Sequence, residues 1–285
     1  MMNKMASDID KNLTMFGGVS PVDIDKNLTI SEKNYFSPEM NKRYFSVSQF
    51  KSFMKCEAAT MAEIYGEYRR EPTDSQLVGS YVDAWMSCDL DGFILDHPEV
   101  VKRDGTLKAQ FNRADEIINR INRDEVFMDY LDGEHQVIMT AELFGYPWKI
   151  KIDSYKPGKV ITDLKVMKDF DTVYVPGEGR LSWIDAWGYD IQGAVYQRIE
   201  QIVSGRDDPL PFVLAAVTKE KTPDIELIQL PQYKLDSALK IVEHNIDRFE
   251  EVKEGLTIPK RCGKCDYCKA TKKITGPVLW EEEVE

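Results

Sequence analysis

Cysteine is scarce: 5 residues in 285, and three of them (Cys262, Cys265, Cys268) fall within one seven-residue stretch. That excludes a disulfide-stapled scaffold, which needs cysteines dispersed through a short chain. No apolar run approaches the roughly 18 residues of a membrane span, and the opening MMNKMASDIDKN has no apolar segment of signal-peptide type. Positive charge is also in deficit: 37 Lys and Arg against 49 Asp and Glu leave a net charge of −12. Such a chain does not coat nucleic acid by bulk charge, although a local basic patch still can. There is no GK[ST] phosphate loop, and the three histidines (His97, His135, His244) form no H-E-x-x-H or zinc-finger pattern. A fused ATPase and a zinc protease are therefore excluded, and no serine or cysteine sits in a nucleophile signature. What is present, 42% apolar and 30% charged residues, suffices for a globular core of one or two domains. The expectation is a soluble, intracellular protein without membrane contact.

Residues 1–44 are polar, lack periodicity and carry a repeat, Asp8 to Thr14 recurring as Asp23 to Thr29. Two heptads make no solenoid, so the segment reads as a flexible N-terminal extension before a domain at 45–285. Ser48 is the expected N-cap of a first helix bearing Phe50, Phe53, Met54, Met61, Ile64 and Tyr65. A second helix carries Leu77 to Met86, and a third spans about 107–122. Period two then takes over in QVIMTAELF (136–144), WKIKIDSY (148–155) and VITDLKV (160–166). A long helix is expected over Trp183 to Val203, a doubly buried strand over Leu210 to Thr218, an edge strand over Ile225 to Leu230, and a last amphipathic helix from Leu235 to Phe249. This order predicts an α/β (α+β) domain in which helices flank one mixed β-sheet.

Chemistry concentrates in the hairpin WKIKIDSY-KPGK-VITDLKV. A three-residue loop, Pro157-Gly158-Lys159, pairs Lys156 with Val160 and so sets Asp153 opposite Asp163, with Lys165 on the face of Asp163. Like charges opposed across two strands destabilise the pair and call for a cation, such as Mg²⁺. The alternative is a solvated polar face. Gly79 and Asp83, and likewise Gln192 and Tyr196, are i and i+4 pairs that share helix faces. Cys262, Cys265 and Cys268 form a C-x2-C-x2-C run, which reads as a metal or cluster site one ligand short, with Cys56 and Cys88 as the remaining thiols. Zinc and an iron–sulfur cluster both suit that spacing, and loose thiols on a basic loop are the plain alternative. Six basic residues (Lys260, Arg261, Lys264, Lys269, Lys272, Lys273) against one acid, Asp266, make this stretch a local phosphate-binding patch.

The ordered set Gly79…Asp83, Asp153, Asp163-Leu164-Lys165 and Gln192…Tyr196 resembles the PD-(D/E)XK nuclease superfamily, and within it the phage-type exodeoxyribonuclease VIII group of recombination exonucleases. The opening Ser46 to Phe50 and the cysteine run are similar too. One departure is Asp83, where that group often has histidine. The resemblance implies a PD-(D/E)XK nuclease core and Mg²⁺- or Mn²⁺-dependent hydrolysis of DNA at duplex ends. In it Asp83, Asp153, Asp163 and the Leu164 carbonyl would hold metal. Lys165 would orient or deprotonate water, and Gln192 and Tyr196 would position water or phosphate. It further implies Cys56 as the fourth ligand of a [4Fe–4S] cluster, with zinc as the alternative. Expected partners are a single-strand annealing protein and further copies of the chain, in the cytoplasm of a bacterium or prophage host. Rival readings are an iron–sulfur nuclease of CRISPR-adaptation type and a non-catalytic DNA-binding module on the same fold.

Overall fold

The structure, a computed structural model, describes residues 29–277. The N-terminal repeat, save Thr29, lies outside the described residues.

The folded body begins before the periodic pattern does. Helix α1 (Pro38–Arg43) is capped by Ser37, whose hydroxyl accepts from the Met40 N–H at 3.3 Å. Met40 and Tyr35 are buried, and the buried Lys149 ammonium donates to the Tyr35 carbonyl and, at 2.8 Å, to Asn41 Oδ1. A flexible extension reaching residue 44 therefore does not hold for residues 31–44. Their attachment uses two buried side chains and a few scattered polar contacts, which leave no period in the sequence.

Helix α2 (Val47–Lys55) is capped by Ser46 rather than Ser48, its Oγ accepting from the Gln49 N–H at 3.3 Å. The expected continuation to Tyr65 is interrupted by Cys56, extended at φ −165° and ψ 102°, after which α3 (Glu57–Ile64) begins. A buried anchor fixes this break: the Glu57 carboxylate accepts from Arg248 at 2.9 and 3.2 Å and from the Lys260 N–H at 2.7 Å. The break points Cys56 toward the C-terminal cysteines.

Next come α4 (Asp74–Met86), opened by a Thr73–Gln76 capping box, then α5 (Leu90–Asp96), α6 (Asn112–Ile121) and α7 (Glu125–Leu131). The sheet follows: β1 (Glu134–Leu143), β2 (Tyr146–Lys156) and β3 (Val160–Met167). A separate small hairpin, β4 (Val173–Val175) and β5 (Gly179–Leu181), precedes α8 (Trp183–Ala186) and α9 (Tyr189–Ser204). The chain continues through β6 (Phe212–Thr218), β7 (Ile225–Gln229), α10 (Gln232–Lys253) and α11 (Asp266–Ala270).

Five strands align in the order β1-β2-β3-β6-β7, with only the β3–β6 pair parallel. Alternation sorts β6 between two cores. Leu214 and Ala216 join residues of α2, α9 and α10 on one face, while Ala215 and Val217 join those of α4, α6 and α7 on the other. β6 is buried along its whole length, and β7 is the edge, as the sequence predicts. The long helix expected from Trp183 is instead two, separated at Gly188, which takes a left-handed φ of 62°.

Candidate active site and cysteine centre

The β2–β3 register matches the parity read from the loop: Lys156 faces Val160, Tyr155 faces Ile161 and Ser154 faces Thr162. The ladder stops one step short of the acidic pair. There the Asp153 carboxylate bends across and accepts from the Leu164 N–H at 3.0 Å. Leu164, expected to offer a carbonyl, thus contributes its amide to holding Asp153. Asp163 is 1% exposed; its Oδ1 accepts from Gln192 Nε2 at 2.6 Å, while its Oδ2 makes no hydrogen bond and is ion-paired with the Lys165 ammonium.

Burial, and then the neighbouring Asp163, push the Asp153 carboxyl well above its ordinary range. Asp83 arrives from the other face of the sheet on α4; burial raises its pKa to about 6, with Lys165 opposing and Asp163 reinforcing the shift. Burial disfavours the Lys165 ammonium, but Asp163 and Asp153 together outweigh it and hold the pKa above normal. Three carboxylates therefore converge on one ammonium. They do not form a preformed ligand cluster as the cysteines do: among the described residues, the group of His, Cys, Asp or Glu side chains placed to hold an ion together is Cys56, Cys262, Cys265 and Cys268.

Gln192 and Tyr196 lie one turn apart on α9, yet they do different work. Gln192 grips Asp163, whereas the Tyr196 hydroxyl donates to the Lys151 carbonyl at 3.0 Å and so fixes β2, with Gln192, Asp163 and Asp153 as its electrostatic neighbours. Gly79 is not a steric necessity, since a Cβ there would meet Val166 at an ordinary 3.8 Å.

Three contributors escape the pattern analysis. Lys51, on α2, is held at a pKa of about 8 by burial and then by Lys165. Tyr189 lies with its ring centroid 5.1 Å from the Lys165 nitrogen and 5.2 Å from that of Lys51. Tyr35 lies with its ring 5.8 Å from the Lys151 nitrogen, and its own hydroxyl pKa is raised by burial and then by Asp153. Each is brought to the site by tertiary packing, which local periodicity does not record.

The second centre is the cysteine cluster. The Sγ atoms of Cys56, Cys262, Cys265 and Cys268 all lie within 4.8 Å of one another, with Cys56–Cys268 at 3.6 Å and Cys262–Cys268 at 3.9 Å. Cys56, not the exposed Cys88, completes the set. Backbone amides already point at the sulfurs: Cys265 N–H donates to Cys262 Sγ at 3.3 Å and Cys268 N–H to Cys265 Sγ at 3.5 Å. The Cys265 and Lys264 amides lower the Cys262 thiol to about 6, whereas burial raises Cys265 to about 12. Lys260, Arg261, Lys264, Lys269, Lys272 and Lys273 surround the cluster and are all exposed.

Residues 46–271 match the family described as PDDEXK-like domain of unknown function (DUF3799). The crystal structure of a "putative exonuclease" from Eubacterium rectale superposes with a TM-score of 0.84 at 45% identity, covering 88% of this chain and 97% of that one. No curated protein matches the chain.

Proposed function

The chain belongs to the PDDEXK-like family, and from that premise we propose that it is a divalent-metal-dependent DNA exonuclease hydrolysing phosphodiester bonds at duplex ends. The observation that carries this reading is the convergence of Asp153, Asp163 and Lys165 at the point where the β2–β3 ladder opens. The description of the similar protein from Eubacterium rectale as an exonuclease supports the same direction.

The donors fit a hard cation. They are oxygens of three carboxylates served by the single Lys165 ammonium, and burial with like charge holds the Asp83 and Asp153 carboxyls above their ordinary range. Asp83, Asp153 and Asp163 would hold Mg²⁺ or Mn²⁺, which when bound supplies Lewis acidity and a more acidic water. The remaining work belongs to the chain. Lys165, held in its charged form by its two carboxylate neighbours, stabilises charge developing on the phosphoryl group and orients the attacking water. Gln192 fixes the Asp163 carboxylate, and Tyr196 fixes the strand that carries Asp153.

The cysteine set serves as a structural staple between α2 and the C-terminal segment. A single tetrahedral ion such as zinc fits it: a Zn–S bond of about 2.3 Å requires thiolates about 3.8 Å apart, and the sulfur pairs at 3.6 and 3.9 Å match. A [4Fe–4S] cube would need the thiolates spread wider, around four irons.

End dependence rests on the described residues, which offer exposed basic side chains that grip phosphate and no base-reading module. Linear duplex should be degraded with little sequence preference and closed circles spared, with rates falling as salt rises. Circles cut as fast as linear DNA, or discrete fragments from a fixed sequence, would replace this reading with that of an endonuclease.

A further inference from the structure

We propose that the α2 face bearing Lys51 and Lys55, together with the ring of Trp187, is a platform for an unpaired nucleotide beside the scissile phosphate. In it the lysines hold phosphates and Trp187 stacks the base. The proposal rests on the nuclease reading above and adds a strand-positioning surface to it.

The platform exists because the chain is broken where a continuous helix was expected. Between α8 and α9, Trp187 caps one helix and Gly188 turns the backbone into the left-handed region at φ 62°. The turn leaves Trp187 46% exposed. Lys51 fills the notch: its Nζ donates to the Trp187 carbonyl at 3.0 Å, and a Cβ on Gly188 would lie only 3.0 Å from Lys51 Cδ. The missing side chain at 188 is the space through which the Lys51 stem passes, so the break, the lysine and the outward tryptophan form one arrangement.

That arrangement adjoins the acidic centre. The ammonium groups of Lys51 and Lys165 lie over the same Tyr189 ring, at 5.2 and 5.1 Å from its centroid. One turn further along α2, Lys55 is exposed, its nitrogen 5.8 Å from the Trp187 ring. Among the described residues neither Lys51 nor Lys55 forms a salt bridge with a carboxylate, although Asp163 and Asp190 lie near enough to act on Lys51, and acids outnumber bases in the chain. A cleft of about 260 Å³, lined by Lys55, Cys56, Lys260 and Arg261 among others, carries the basic surface on to the cysteine centre.

Two ammonium groups without a salt-bridged carboxylate, flanking a half-exposed indole, suit phosphate and base together: the indole face accepts any base by stacking, and the lysines take the backbone. Stacking requires a base outside the duplex, so the occupant is single-stranded, such as the frayed end of a duplex.

The test is binding of two labelled oligomers of about 10 nucleotides, within the usual single-strand site size, measured by anisotropy in EDTA. One is oligothymidylate and the other an abasic deoxyribose-phosphate chain of the same length. Trp187→Leu should weaken the thymidylate about tenfold, the scale of one lost stacking contact, and leave the abasic chain bound as before. Trp187→Phe should restore most of the loss. Lys55→Ala should weaken both oligomers and flatten the salt dependence by about one phosphate contact. Trp187→Leu binding both as wild type does, or weakening both alike, would overturn the proposal, as would a wild-type protein that binds neither. Because no cleavage is involved, a protein that binds as expected but never hydrolyses DNA would refute the nuclease reading and leave the platform standing.

Discussion

Replacing Met40 by alanine tests whether residues 31–44 belong to the folded body. Met40 is 0% exposed, and α1 is clasped at its other side by Lys149, itself 1% exposed. Truncating a fully buried methionine costs about 2–5 kcal/mol when the surroundings cannot collapse. The loss has a ceiling, because a sufficiently weakened segment will detach and expose the β2 surface it covers. Detachment carries its own cost: it strips acceptors from a buried ammonium, about 1–3 kcal/mol or more for a charged group. At about 2–4 °C per kcal/mol for a domain of this size, Met40→Ala should lower the melting temperature by at least about 4 °C. A chain starting at Phe45 should lose at least as much relative to one starting at Ile30. Circular-dichroism melts of the four proteins decide the matter. If Met40→Ala and the shorter chain both melt within about 1 °C of their references, the segment is no part of the fold and the reasoning fails.

Lys253 is buried beside Lys149 and over the Phe45 ring, and burial lowers its pKa to about 8. A lysine depressed on folding weakens the native state below that pKa and ceases to do so as pH climbs toward its unfolded value. Wild-type stability relative to Lys253→Met should therefore rise as pH increases through 8 toward about 10, and a gap that is flat with pH contradicts this. Gly193→Ala should cost about 1–3 kcal/mol by overpacking, because the new Cβ would lie 2.6 Å from Phe212 and 2.9 Å from Leu235; an unchanged denaturation midpoint would show that the two side chains yield freely. Elemental analysis should find about one zinc per chain, lost in Cys56→Ala along with several degrees of melting temperature; iron with labile sulfide would instead assign a cluster.

Loop length made the heart of the site legible. Three residues between Lys156 and Val160 fix the parity of the hairpin, and parity alone places Asp153 and Asp163 together, with Lys165 beside them. Gln192 and Tyr196 were legible as an i, i+4 pair, but not the partner each side chain takes. Spacing on a helix says which residues share a face, not whether a hydroxyl reaches a carboxylate or a backbone carbonyl. Cysteine density disclosed Cys262, Cys265 and Cys268, whereas the fourth thiol of the set, Cys56, followed only from resemblance, since the end of α2 and the C-terminal run meet through tertiary packing. The elements that were misread share one cause. The break at Cys56 is set by Glu57 bonding to Arg248 and Lys260, the break at Gly188 by Lys51, and the attachment of residues 31–44 by Lys149. Each is a contact between residues far apart in the chain, which overrides local helical periodicity without leaving a trace in it.

Asp163 is the group on which the account depends most. The direct measurement is hydrolysis of an end-labelled linear duplex by wild type and Asp163→Asn, each with Mg²⁺ or Mn²⁺ and again with EDTA, and with the fold of the variant checked by its melt. Wild type should shorten the label-bearing strand with metal and not with EDTA. Asp163→Asn should be inactive in both yet remain folded, with relief of repulsion at Asp153 offsetting part of the lost pairing with Lys165. Cleavage by the folded variant at the wild-type rate, or no metal-dependent cleavage by wild type, would contradict the assignment of this site.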